Sequence, residues 1–238
     1  MQPSTEHVII TGASQGIGAV IARSWSQSFP GTRMSLLARN ETNLESLASE
    51  CRALGADAVA FSCDLTDSSA VNAACREILN RTATPTVLVN NAGIFEPGGI
   101  ADTSLGDFER QIKVNLTGAF QMTSQLIPAM IEAGRGHIFF MASVASLSGY
   151  PGSVGYCSAK HGLLGLARAV REETREKGIR VTSLFPGATL TPSWDGTDLP
   201  ERRFMPPEDI ASALINAFRM SDRTVVEEIL LRPQLGDI

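Results

Sequence analysis

The chain has 238 residues, 43% of them apolar and 19% charged, which is enough apolar material for a sizeable core and excludes a disordered polymer. Its 20 basic and 25 acidic residues leave a formal charge of −5, so no basic excess points to nucleic acid or an anionic membrane, and an anion site would have to be local. Four scattered cysteines and three dispersed histidines lack the spacing of a zinc site or a disulfide framework, so free thiols in a reducing cytoplasm and no bound metal are expected.

The opening MQPSTEHVII has no basic region followed by a long apolar run, so no secretion signal is expected there. No apolar stretch approaches the ~18–20 residues of a membrane span. Short β-rich runs then alternate with helical patterns. HVIIT precedes a helical run over residues 16–29. RMSLLA leads to NETNLESLASECRALG, where Asn40 can cap and Leu44, Leu47 and Leu54 recur at helical spacing. DAVAFSC leads to TDSSAVNAACREILNR, and TVLVN to a Gly/Pro-bearing loop and a helical region ending near Ala133. GHIFFMA precedes a helix carrying Tyr156 that runs to about Lys177, and IRVTSLF and TVVEEILL complete seven candidate strands. This alternation predicts an α/β fold: a doubly wound, parallel, seven-stranded, Rossmann-like sheet with helices on both faces. Without repeat or linker, the chain reads as one domain over residues 1–238. The long Pro/Gly-rich segment at about 188–207 reads as a mobile flap over a substrate.

TGASQGIG follows the first strand and carries Gly12, Gly16 and Gly18. Glycines at a strand-to-helix turn let backbone approach a pyrophosphate, and the helix N-terminus offers free N–H groups. An ordinary βα turn remains the alternative. At the end of the second strand, LLARN places Ala38 where an acid for a ribose hydroxyl would stand, with Arg39 next to it. A guanidinium fork suits a 2′-phosphate, which favours NADP over NAD; a solvated surface arginine is the alternative. In SVGYCSAKHGLL, Tyr156 and Lys160 lie one helical turn apart. By itself the pair reads as a half-buried tyrosine beside a solvated lysine.

The chain resembles the short-chain dehydrogenases/reductases over nearly its whole length, through seven motifs in order. TGASQGIG resembles the family's cofactor turn, which implies Gly12, Ser14, Gln15, Gly16, Ile17 and Gly18 against NADP(H). CDLTD implies Asp64 and Leu65 beside the adenine, and NNAG implies Asn91, Ala92 and Gly93 along the cofactor. KVNLTGAF, MASVAS and YCSAK supply a catalytic set of Asn115, Ser143, Tyr156 and Lys160. FPGATLT resembles the turn that contacts nicotinamide and diphosphate, through Pro186, Gly187, Thr189 and Thr191. GHIFF, TPSW and the ending TVVEEILLRPQLGDI resemble bacterial sepiapterin reductase-like members. One departure is Gln15, where many NADP-using relatives carry a base, so Arg39 would hold the 2′-phosphate with help from Ser14 and Asn40. Asp237 is the candidate for the acid that animal sepiapterin reductases carry near their terminus.

The resemblance implies an NADPH-dependent carbonyl reductase. Tyr156 would protonate the developing alkoxide, Ser143 would hold the carbonyl oxygen, and Lys160 would bind the nicotinamide ribose and lower the tyrosine pKa. Asn115 would link Lys160 to a water-borne proton path. An ammonium at ~4 Å from a phenolate is worth up to ~4 kcal/mol at an effective dielectric of ~20. That would carry the phenol from ~10 toward neutrality, provided the lysine outweighs desolvation. Phe95, Leu147, Tyr150 and Trp194 would join Ser143 and Tyr156 around the substrate, and the aromatic rings suit a pterin such as sepiapterin. Other small carbonyls, ketoacyl thioesters or a non-catalytic NADP-binding sensor are the alternatives. The resemblance also implies a homodimer or homotetramer, joined through the helices near Asn115 and Tyr156.

Overall fold

In the computed structural model, which describes residues 6–81 and 84–238, the seven expected strands form one sheet. Residues 1–5, in the segment that argued against a secretion signal, lie outside that range. The strands are β1 (His7–Thr11), β2 (Arg33–Ala38), β3 (Asp57–Ser62), β4 (Val87–Asn90), β5 (Gly136–Met141), β6 (Ile179–Pro186) and β7 (Glu228–Leu231). They pair in the order β3-β2-β1-β4-β5-β6-β7, all parallel. The direction of winding reverses between β1 and β4, which opens a crevice at the carboxyl ends of those two strands.

The α-helices among the described residues are α1 (Gly16–Ser28), α2 (Glu41–Ala53), α3 (Ser68–Arg81), α4 (Leu105–Ile112), α5 (Gly118–Glu132), α6 (Val154–Thr174) and α7 (Pro207–Phe218). Successive strand residues face opposite sides of the sheet. Val8, Ile10, Met34, Leu36, Val87, Val89, Phe139 and Met141 pack with buried residues of α1, α2 and α7. Ile9, Leu37, Leu88, Ile138 and Phe140 pack with α3, α5 and α6. A sheet covered on both faces has no polar side, which is why its strands read as unbroken apolar runs.

Asn40 caps α2 as expected, its side-chain oxygen accepting the Asn43 N–H at 3.0 Å. Leu54, taken as the last member of that helix's apolar series, stands outside it as the C-cap. Two features were not expected from the pattern. α4 passes into α5 through a π turn at Lys113–Thr117, and Asn115 sits at its centre. α7 begins at Pro207, with Pro206 as its N-cap, since a proline at N1 lacks only an N–H that the first turn would leave unbonded anyway.

Candidate active site

Gly12 and Gly16 adopt positive φ of 65° and 55°, a region closed to most side chains. A Cβ on Gly12 would lie 2.7 Å from Ala92 Cα, and one on Gly18 would lie 2.4 Å from the Gly12 carbonyl oxygen. Only bare backbone lets α1 start this close to β1 and β4. Thr11 and Asn91 tie the two strand ends together. The Thr11 hydroxyl accepts the N–H groups of Asn91 (3.0 Å) and Ala92 (3.1 Å). Asn91 Nδ2 donates to the carbonyls of Thr11 (3.0 Å) and Gly12 (3.1 Å). The first turn of α1 has no side-chain cap and no acidic residue, so its N–H groups face the crevice unopposed.

A cavity of about 1120 Å³ runs from this turn along the carboxyl edge of the sheet. That exceeds the roughly 300–1,000 Å³ of a pocket for one drug-sized ligand and leaves room for a dinucleotide with a small substrate. Arg39, Asn40, Asp64 and Leu65 line one end. Ser14, Gln15, Gly16, Ile17, Asn91, Ala92 and Gly93 line the middle, with Gly187, Thr189 and Thr191 opposite. Thr191 Cγ2 would lie 3.5 Å from a Cβ on Gly16, so the loop after β6 covers the glycine turn. Pro186, Asn115, Ser143, Tyr156 and Lys160 line the far end together with Phe95, Tyr150 and Trp194.

Two expected positions differ. Gly18 does not line the cavity; it is the contact that seats α1 behind the turn. Leu147 also stays outside, 41% exposed at the C-cap of the short 3₁₀ turn Val144–Ser146. Asp237 and Ile238 do reach the cavity. The Tyr150 hydroxyl donates to Asp237 Oδ2 at 3.0 Å, Arg232 pairs with the same carboxylate, and Arg203 Nη2 donates to the Asp237 backbone carbonyl at 3.2 Å. Asp237 Oδ1 is buried without a partner. The strand pattern offers no signal for this arrangement, since the tail is placed by tertiary contacts alone.

Lys160 is 3% exposed, and its Nζ donates to the Met141 carbonyl at 2.8 Å. Burial brings its pKa down from 10.5 to about 8. The ammonium sits 5.5 Å from the centre of the Tyr156 ring. The Tyr156 phenol is shifted upward, by burial above all, with an opposing hydrogen bond from Ser143 and a smaller upward push from Cys157. This reverses the expectation that the lysine outweighs desolvation. The lysine is turned to a backbone carbonyl, and burial brings its pKa to about 8, so it has lost its proton by the pH at which the buried phenol would ionise.

Asn115 is buried and does not bond Lys160. Its Oδ1 accepts the Ile94 N–H at 3.2 Å, and its Nδ2 donates to the carbonyls of Ile94 (2.9 Å) and Gln111 (3.0 Å). Gly93 lies between the two side chains: a Cβ there would be 2.7 Å from Asn115 Oδ1 and 3.5 Å from Lys160 Nζ. Ser143 Oγ accepts the Ala145 N–H at 3.1 Å and lies 3.5 Å from the Pro186 carbonyl. The flap folds on itself, with Leu190 N–H and Met205 N–H bonding the carbonyls of Met205 and Ala188, and Trp194 packing 5.1 Å from Phe204. Among the described residues, no group of three or more His, Cys, Asp and Glu side chains is placed to hold a metal ion. Nor is any described helix long and apolar enough to cross a membrane.

Residues 6–201 match the family model described as short chain dehydrogenase. The chain is 37% identical over 237 residues to the sepiapterin reductase of Chlorobaculum tepidum, covering 97% of each sequence. It overlays on the alcohol dehydrogenase of the archaeon Thermococcus sibiricus complexed with 5-hydroxy-NADP, with a TM-score of 0.91, 27% identity and 99% of both chains covered. The actinorhodin polyketide ketoreductase with NADPH gives a TM-score of 0.88 at 27% identity, covering 98% of both chains.

Proposed function

The chain belongs to the short chain dehydrogenase family, and from that premise we propose that it is an NADPH-dependent carbonyl reductase. The observation that carries this reading is one continuous cavity lined at one end by Arg39 and the glycine turn and at the other by Ser143, Tyr156 and Lys160. The residues fit a dinucleotide: Gly12 and Gly16 hold backbone where a Cβ would intrude, the start of α1 offers N–H groups to phosphates, and Arg39 offers a fork to a 2′-phosphate. Ser14 and Asn40 line the same cavity as that arginine, and the cap of α2 uses only the Asn40 oxygen. Relatives in solved structures carry NADPH or 5-hydroxy-NADP, which supports the same cofactor here.

When bound, NADPH supplies the hydride. Tyr156 supplies the proton to the alkoxide, and its raised pKa keeps it in the O–H form at neutral pH, which suits reduction. Ser143, close to the phenol, holds the carbonyl oxygen. Lys160, buried yet still mostly protonated at neutral pH, binds the nicotinamide ribose. Asn115 positions the loop after β4 and connects the lysine to a proton path. The whole chain acts as one catalytic domain, with residues 188–207 as the flap over the substrate.

For the substrate we favour a flat heteroaromatic ketone, with the side-chain carbonyl of a pterin such as sepiapterin as the leading case. Phe95, Tyr150 and Trp194 line the substrate end, and the Asp237 carboxylate offers an acceptor to ring N–H groups. The sepiapterin reductase relative supports this choice. A ketoacyl thioester or another small carbonyl is the second reading, supported by the likeness to the polyketide ketoreductase. A sensor that only binds NADP has no use for the Ser143–Tyr156–Lys160 set. We further propose that it works in the cytoplasm as a homodimer or homotetramer; Leu105 and Phe120, 72% and 53% exposed on α4 and α5, suit a contact between copies.

Loss of NADPH absorbance is measured with sepiapterin, diketones and ketoacyl thioesters in parallel. Turnover of sepiapterin above the others is expected. Tyr156→Phe should lose turnover by roughly 10²–10⁴-fold, the usual contribution of a general acid, while still binding NADPH. Near-parental rates in that variant would defeat the role of Tyr156, and turnover of thioesters alone would defeat the pterin reading.

A further inference from the structure

Gln111 lies near the end of α4, four residues before Asn115, and is 1% exposed. A leucine would pack there without the cost of burying an amide, so the two hydrogen bonds that its side chain makes carry the interest. Its Oε1 accepts the Glu96 N–H at 3.2 Å, and its Nε2 donates to the Glu96 carbonyl at 3.3 Å. Asn115 grips Ile94 in the same two-point manner. The two amides together hold residues 94 and 96 as a neighbouring strand would. In extended chain the residue between them points the other way. That residue is Phe95, and its ring meets Tyr156 edge-on with centroids 5.2 Å apart at 73°. Gln111 also rests against α6 just before Tyr156: a Cβ on Gly155 would lie 2.6 Å from Gln111 Nε2. One side chain therefore spaces both members of the Phe95–Tyr156 contact.

We propose that Gln111 is a positioning residue that sets Phe95 over Tyr156 and thereby governs how tightly the carbonyl substrate is held, without touching substrate or cofactor. The inference rests on the reductase reading above and adds a determinant of substrate fit to it. Its effect runs through the wall of the cavity next to the phenol, far from the glycine turn and Arg39. The signature is a rise in substrate KM with cofactor binding preserved.

The test compares Gln111→Met, which keeps the length and removes both hydrogen bonds, with Gln111→Glu, which keeps an acceptor for the Glu96 N–H. With the best carbonyl of the panel and saturating NADPH, Gln111→Met should raise KM roughly tenfold, the scale of one to two net hydrogen bonds, and change kcat less than about threefold. Gln111→Glu should fall between it and the parent. NADPH Kd should stay within about twofold in both. In a Phe95→Ala background, Gln111→Met should have little further effect, because the path runs through that ring. Amide exchange followed by NMR should show faster exchange at Glu96 in Gln111→Met with Ile94 still protected. An unchanged KM overturns the proposal, as does an equal loss of NADPH affinity or full additivity with Phe95→Ala. If the parent turns over no carbonyl, the reductase reading fails by itself, and the exchange measurement still decides whether Gln111 holds the segment: unchanged protection at Glu96 overturns it.

Discussion

Replacing Lys160 by methionine should make the dinucleotide-free protein more stable while abolishing its activity. The lysine is buried, and burial lowers its pKa from 10.5 to about 8. At roughly 1.4 kcal/mol per tenfold change in proton affinity, holding that ammonium inside the fold costs about 3 kcal/mol near neutral pH. Methionine has similar bulk and no charge to desolvate, but it leaves the Met141 carbonyl without its 2.8 Å donor, a loss of about 1 kcal/mol. The net gain is about 2 kcal/mol, or about 4–8 °C in Tm for a chain of this size. The sign with pH follows from linkage. A lysine whose folded pKa is lowered binds fewer protons folded than unfolded between about 8 and 10.5, so the parent gains stability as pH rises through that window. The penalty is fully present below about pH 8, so the advantage of Lys160→Met should be largest at pH 6.5–7.5 and shrink toward pH 9.5. Thermal unfolding of both proteins across that range, without added dinucleotide, measures it. A variant that melts at or below the parent at pH 7, or a gap that stays constant to pH 9.5, would refute the reasoning.

Two other measurements probe distant parts of the molecule. Arg39→Ala should raise KM for NADPH roughly 10- to 100-fold, the scale of a charge-assisted hydrogen bond, and leave KM for NADH nearly unchanged; equal use of both cofactors by the parent would contradict the role of Arg39. His137 is buried, stacks 3.9 Å from Phe139, and has its pKa held well below 6.5 by burial and then by Arg180. The unfolded chain takes up that proton first, so stability should fall by up to about 1.4 kcal/mol per pH unit below 6.5 on account of this one group. His137→Phe removes the titrating group and should flatten that slope, and Thr182, which bonds His137 Nε2 at 2.7 Å, keeps a partner in the Val226 carbonyl at 2.6 Å; denaturant titrations at pH 7, 6 and 5 read it, and an unchanged slope would show that the acid sensitivity lies elsewhere.

Gly12 and Gly16 stood out because no other residue suits a strand-to-helix turn with positive φ, and that requirement is local. The strands were legible for the same reason: Val8, Ile9 and Ile10 are apolar in succession because both faces of the sheet are covered. Tyr156 and Lys160 share a helix face by spacing alone. α7 escaped notice because Pro206 and Pro207 read as loop, although the second of them begins the helix. The π turn that seats Asn115, and its bond to Ile94 far along the chain, leave no mark on periodicity.

Residue order alone thus determined the seven strands and the helices between them apart from α7 and the π turn, where backbone must be bare, and which side chains stand one turn apart, because each of these depends on contacts within a few residues. Tertiary structure alone decided the local dielectric and the meeting of remote segments. It turned Lys160 onto the Met141 carbonyl and drove the Tyr156 phenol upward, brought Asp237 to the cavity and left Leu147 outside it. Desolvation is a property of everything packed around a group, and no spacing along the chain records it.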